Sequence, residues 1–366
     1  MGAENEADQL IDEGYGMAYG ADRIRAHSEA VRVADLHQDV EAGFRARQAL
    51  IQSANMGGDP NLALVAFAWC LGQHDANPDR FSLEEGGHFT NLLWMYKWIV
   101  ERTSEHPGIS RSKLADLIDD MSQRYRDRGF SLRPVRKLQL WSSMNMLDRE
   151  KVPGAVADWL RHGRDSLSDC MACDVDWEAA AHLAMRDLPL ARQAAAPLFE
   201  NRMRCAEVPT LTYGRFLLPL SQAGDNAEAE RLAHQIPRRI GTNRDFVQAA
   251  GTLVVYLVEH NPREALRAAP RYSAWALTGE TPLRRLLLMI GLVRASRLAR
   301  EMGKGGDPLG ILLPSEPVTS FDEGEPRLYR EACNLADAFD KRNGHSRVGD
   351  AVRSHLEGTG TWWWPL

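Results

Sequence analysis

"DLPLA" (187–191) and "DNAEA" (225–229) share one local grammar, a capping aspartate followed four positions later by alanine, and "HNPREA" (260–265) repeats it with Asn261 and Ala265. Aspartate or asparagine at such a place accepts a hydrogen bond from the orphan backbone N–H groups of a helix's first turn. Ala191, Ala229 and Ala265 are separated by 38 and then 36 residues, and "KVPGA" sets Ala155 another 36 residues upstream. "DPNLA" places Ala63 in the same frame far earlier in the chain. A period of roughly 34–38 residues, each holding two helical stretches, marks a stacked array of helix hairpins. Alanine at a fixed place lets the two helices approach closely, where a larger side chain would hold them apart.

The surrounding sequence agrees. Apolar residues recur at three- and four-residue steps in "NLLWMYKWIVERT" (91–103), "RRLLLMIGLVRASRLAREM" (284–302) and "LYREACNLADAF" (328–339), broken at Pro, Gly, Asp and Asn. No sustained alternation of apolar and polar residues appears, and "RNG" (342–344) reads as a helix stop rather than a hairpin turn. The expected fold is therefore all-α, an α-solenoid of stacked antiparallel helix hairpins.

In these features the chain resembles the tetratricopeptide repeats. That family opens the second helix of each pair with a small residue and follows it four positions later with an aromatic or small one. The matching pairs are Ala63 with Phe67, Ala155 with Trp159, Ala191 with Ala195, Ala229 with Ala233, and Ala265 with Ala269. The family's turn glycine, five residues before the alanine, is matched by Gly58 and Gly224 and replaced by Glu150, Arg186 and His260. Its first-helix glycine is replaced by Ala179, Leu217 and Leu253. The resemblance covers roughly residues 130–275 closely and 15–130 loosely, and implies a superhelix whose first helices line a concave face. Counting back 15, 11 and 8 residues from each alanine, the inward positions are Leu140, Met144 and Leu147; then Asp176, Ala180 and Leu183; then Gly214, Leu218 and Ser221; then Ala250, Val254 and Leu257. Of the Lys and Asn set with which the family clamps a C-terminal carboxylate, Lys137 alone has a counterpart. Lys137, Leu140, Met144, Asp176, Leu218 and Ser221 are thus the candidate groove residues for a peptide or protein partner.

Four regions are expected. Residues 1–130 form an irregular helical part with an insertion at 74–88, "HDANPDRFSLEEGGH". Residues 131–302 carry the repeats. The Gly-, Pro- and acid-rich segment 303–325 reads as a linker, and 326–366 as two short helices (about 326–342 and 347–356) with the tail "TGTWWWPL". Trp362, Trp363 and Trp364 carry roughly 150–250 Å2 each, so they are expected to pack on the end of the array or meet a partner.

Groups able to carry chemistry are few. "SDCMACDVDW" (168–177) holds Cys170 and Cys173, and Cys205 follows about one repeat later. Three thiolates on one edge of an array form a weak candidate metal cluster, with Asp174 or a histidine as a fourth ligand. A redox pair of Cys170 and Cys173 is the other chemical reading, but it wants a strand-to-helix junction and nothing nearby reads as strand. Yet stacked repeats stand roughly 10 Å apart at their axes, so the favoured reading is small residues packed at a helix start, and no metal or cofactor is expected. The eleven histidines form no helical metal pair, Asp119-Asp120 reads as a solvated helix face, "GKGG" (303–306) lacks the frame of a phosphate loop, and no GxSxG appears. One basic run, "RYRDRGFSLRPVRK" (124–137), offers Arg124, Arg126, Arg128, Arg133, Arg136 and Lys137 to an anionic partner or forms an ordinary loop between helices.

Composition sets outer bounds. In 366 residues with net charge −6 there is no whole-molecule basic field, so a nucleic-acid partner is not expected. Five widely spaced cysteines fit a reducing compartment. The longest apolar stretches, 62–72 and 286–293, are too short to span a bilayer. With an acidic N-terminus unlike a signal peptide, the expectation is a cytoplasmic protein without a membrane partner. The leading functional expectation is a non-enzymatic interaction scaffold that binds a peptide or protein through its concave face. One alternative is a bacterial-type sensor of a small peptide or metabolite. Another is an all-α enzyme with a site at helix ends.

Overall fold

A computed structural model describes residues 3–57, 59–87, 90–278 and 281–361. Among these the chain forms seventeen α-helices and one two-stranded antiparallel sheet, so it is all-helical in class. None of the helices is long and apolar enough to cross a membrane. The chain divides into two compact units: Met1–Thr103 with Leu114–Leu138 and Asp165–Leu167, and Ser104–Lys113 with Gln139–Arg164 and Ser168–Leu366.

The first unit is built on α1 (Ala3–Tyr15), α2 (Ala21–Leu36), α3 (Val40–Gly57), α4 (Pro60–Ala76), α5 (Leu92–Ser104) and most of α6 (Arg111–Asp127). α1, α2 and α3 pack on one another, and α4 packs on α3. Asp59 caps α4 as its sequence predicts, accepting from the Leu62 N–H at 3.0 Å. The segment read as an insertion is anchored: Phe81 and Leu83 are buried, and Phe81 lies 5.1 Å from the Phe44 ring. His27, fully buried, joins the three helices through Nδ1, 2.6 Å from Ser53 Oγ and 3.1 Å from the Ala49 carbonyl, and Nε2, 3.1 Å from the Ile11 carbonyl. Burial holds its pKa below the ordinary histidine value, against the pull of the two carbonyls. A buried histidine with a lowered pKa stabilises the fold only while neutral, so its contribution is full above about pH 6.5 and lost as pH falls through the folded value. His27→Gln is therefore expected to flatten the loss of stability between about pH 6.5 and pH 5, measured by urea denaturation at each pH.

The second unit begins with the greater part of α7 (Arg133–Asn145) and continues through α8 (Val152–Arg161), α9 (Met171–Ala184), α10 (Leu188–Phe199), α11 (Thr210–Gln222), α12 (Asn226–Ile240), α13 (Val247–His260), α14 (Pro262–Tyr272) and α15 (Pro282–Glu301). The capping grammar is realised in each pair: Asp187 accepts from Leu190 N–H at 2.9 Å, Asp225 from Glu228 at 3.4 Å and Asn261 from Glu264 at 3.3 Å. Ala191, Ala229 and Ala265 are all fully buried, as are Ala195, Ala269 and Trp159, while Ala155 is half-buried. α9 packs on α10, α11 on α12 and α13 on α14, and the first helices meet in succession, α9 with α11, α11 with α13 and α13 with α15. The turn before Ala191 keeps its left-handed backbone even without glycine: Arg186 takes φ 63° where Gly224, before Ala229, takes 81°.

The segment 303–325 is not a linker. Leu309 and Leu312 are buried in the main core, and β1 (Pro308–Gly310) pairs antiparallel with β2 (Thr319–Ser320). Two leucines inside a Gly- and Pro-rich run suffice to anchor it on the core, although most of its residues stay exposed. α16 (Phe321–Asn343) starts earlier than its periodicity predicts, because Ser320 and Glu323 form a reciprocal capping box. It stops at Gly344 in the left-handed conformation, and α17 (Arg347–Leu356) follows at the predicted place. The predicted tryptophan contact of 362–364 lies outside the described residues.

Candidate functional site

Cys170 is the N-cap of α9 and Cys173 lies in its first turn. The segment between α10 and α11 returns Cys205 to the same point. The three Sγ atoms lie within 4.8 Å of one another, with Cys173 and Cys205 3.5 Å apart. Repeat spacing therefore does not keep them apart, because the ligand comes from the connecting segment rather than from a helix. The Cys173 N–H donates to Cys170 Sγ at 3.4 Å, and the Val208 N–H donates to Cys205 Sγ at the same distance. The hydrogen bond from the Cys173 thiol draws the Cys205 thiol down to about pKa 5, with help from the Val208 and Glu207 backbone and against the cost of burial. That same bond, together with burial, holds Cys173 protonated. Ala172, Leu198 and Val208 form a buried apolar floor beneath the sulfurs, with Val175 and Met203 beside it, whereas Cys170 is exposed. The chemistry on offer is a sulfur-only donor set at a helix N-terminus, where the dipole favours thiolate.

A second feature of this unit is a cleft of about 450 Å3 beside α15 and α16. Met289 and Leu335 give it an apolar wall, and Arg285, Arg327, Glu331 and Asn334 supply polar groups. Arg327 is held by Glu316. Among the described residues Arg285 meets no carboxylate at ion-pair distance and its buried Nε has no hydrogen-bond partner, while its Nη1 donates weakly to the Ala276 carbonyl at 3.4 Å. Burial lowers its pKa, with Glu331 as the opposing charge.

No protein-family model matches this chain, and no curated protein matches it. The residues themselves must therefore carry the functional reading.

The candidate groove residues fall elsewhere than an open concave face. Lys137, Leu140, Met144, Asp176 and Leu218 are buried, and Ser221 is half-buried. Leu147, Ala180, Leu183, Gly214, Ala250, Val254 and Leu257 are buried too. These positions of the first helices are thus packed as core, with Ser221 the exception among the candidates. Asp176 is engaged within the fold, accepting from Thr212 Oγ1 at 2.7 Å and pairing with buried Arg215. Ser221 Oγ lies 2.7 Å from His260 Nε2, and the His260 ring stacks on Tyr256 at 4.4 Å. Among the described residues no carboxylate orients His260 Nδ1, so this pair lacks the third group that activates a serine nucleophile.

The basic run is tied up by its own surroundings. Arg124 holds Asp75 through both Nη atoms at 2.6 and 2.9 Å and also holds Asp120, which accepts from the Tyr96 hydroxyl. Arg128 lies 3.7 Å from Glu84 and 2.9 Å from His74 Nε2. Sequence reasoning missed Arg285 and Arg215. The available signal was an arginine inside an otherwise apolar helix stretch, "LLPL" after Arg215 and "LLLMIGLV" after Arg285.

Proposed function

We propose that this chain is a non-enzymatic, tetratricopeptide-like helical-repeat protein that binds a peptide segment of a partner, with the cleft beside α15 and α16 as the binding place. The succession of capped, alanine-centred helix pairs from α9 to α14 supports the repeat reading. The single observation that carries the binding reading is Arg285, a half-buried guanidinium that meets no carboxylate at ion-pair distance among the described residues, set in an amphipathic cleft of about 450 Å3. A cation in that state is offset when an anionic ligand arrives. A peptide carboxylate meets Arg285, the Asn334 amide bonds peptide backbone, and Met289 and Leu335 receive an apolar side chain.

The test is capture from a pool of random short peptides with free C-terminal carboxylates, against the same pool amidated. Retention of the free-acid pool is expected, falling about tenfold to a hundredfold in Arg285→Gln, since a charge-assisted hydrogen bond is worth about 1.5–3 kcal/mol. Arg285→Gln removes a charge whose burial is disfavoured, so its melting temperature is expected to hold or rise. Equal retention of both pools, or no effect of the substitution, rejects the cleft as the binding place.

A further inference from the structure

We infer that Cys170, Cys173 and Cys205 bind one zinc ion through three thiolates, and that this ion fastens the 200–209 segment to the N-terminus of α9. At a Zn–S length of about 2.3 Å, tetrahedral geometry sets ligand sulfurs about 3.8 Å apart. The Cys173–Cys205 separation of 3.5 Å and the 4.8 Å limit on all three pairs reach that arrangement with small side-chain rotations. Packing alone accounts for cysteines on an apolar floor. The Cys173 N–H caps α9 through Cys170 Sγ, and the Val208 N–H is directed in the same way at Cys205 Sγ. Such bonds spread the charge of a ligating thiolate and fix its orientation, the outer-shell support that metal sites require.

The donor set also selects the ion. No histidine nitrogen or carboxylate oxygen joins the cluster among the described residues, so every ligand is soft and suits zinc rather than magnesium or calcium. Three thiolates on a divalent ion leave one negative charge, placed at a helix N-terminus where the dipole favours it. The exposed side at Cys170 provides the access route and leaves the fourth position to water. As zinc binds, the thiols that are still protonated release their protons to solvent. No electron transfer is involved.

The experiment uses the full chain, purified and kept under reductant. Elemental analysis is expected to give about one zinc per chain, and CoCl2 added to the stripped protein should raise a sulfur-to-cobalt charge-transfer band that ZnCl2 then bleaches. Cys170→Ser, at an exposed position where folding is safe, should weaken zinc by about a hundredfold or more, since even outer-shell losses cost 10–100-fold. Cys333→Ser, far along the chain, should leave the affinity unchanged. Absence of the cobalt band in the stripped wild-type chain overturns the inference without reliance on any variant. Copper found in place of zinc, or equal zinc affinity in Cys170→Ser, overturns it as well.

Discussion

Gly251→Ala is expected to destabilise the second unit by about 3 kcal/mol, the upper part of the range for an extra methyl forced into a packed contact. A Cβ on Gly251 would stand 2.5 Å from the Leu288 nitrogen, 2.6 Å from the Leu287 carbonyl carbon and 2.9 Å from the Leu288 Cα. All three are backbone atoms, so no rotamer change relieves the clash, and α13 and α15 must separate. The partner position agrees: a Cβ on Gly291 would meet Val254 Cβ at 3.1 Å and the Gly251 carbonyl oxygen at 3.2 Å. Separation there weakens contacts along the whole crossing, because interiors are close-packed and transmit the strain. Gly154→Ala is the control. A Cβ at that helical position meets nothing within 4 Å, and the change is expected to be neutral or to stabilise by about 0.4–1 kcal/mol. Urea denaturation followed by far-ultraviolet dichroism measures both. If Gly251→Ala costs no more than Gly154→Ala, α13 and α15 do not cross as described, and the succession of first-helix contacts that supports the repeat reading falls with them.

That crossing shows which parts of the fold the sequence reveals. Caps and alanines are local signals: a side-chain oxygen three residues from a free N–H, or a small residue between two helices, acts within one hairpin. They were readable, and Asp187, Asp225 and Asn261 cap as their spacing predicts. The first-helix glycines depend on how one hairpin lies against the next. The family frame assigns that glycine to positions occupied by Leu217 and Leu253, whereas close approach occurs at Gly214, whose Cβ would stand 2.8 Å from Ala249 Cβ, and at Gly251. Those two glycines are 37 residues apart, a period as good as that of the alanines, but one offset from the family's frame by a few residues.

Site residues were less legible for a related reason. Cys205 reaches the other thiols through an irregular segment whose path no periodicity encodes. The segment 303–325 was composed like a linker because glycine and proline outnumber its two burying leucines, and burial of Leu309 and Leu312 decided the outcome. The positions expected to face inward are buried, and burial alone does not distinguish a groove wall from a core. Whether facing helices are far enough apart to admit a ligand depends on side-chain volume across the gap, which is a property of the pair and not of either sequence stretch.

Asp176 separates the two cases. As part of the core, Asp176→Ala should cost about 3–5 kcal/mol, because Arg215 then remains buried without its carboxylate and Thr212 Oγ1 loses its acceptor. Asp176→Asn keeps an acceptor for Thr212 and should cost less. Replacing both charges, as in Asp176→Leu with Arg215→Met, should recover most of the loss, since the pair's desolvation largely cancels its attraction. All four chains are compared by urea midpoint and then by peptide capture at a temperature where each is folded. With Asp176 confined to the fold, capture per folded molecule stays at the wild-type level in every variant, and stability alone changes. A groove residue behaves in the opposite way: stability holds in Asp176→Ala while capture collapses. That outcome would require α9 and α11 to part widely enough to expose a carboxylate whose side chain is now 2% accessible, and it would return the binding place to the concave face.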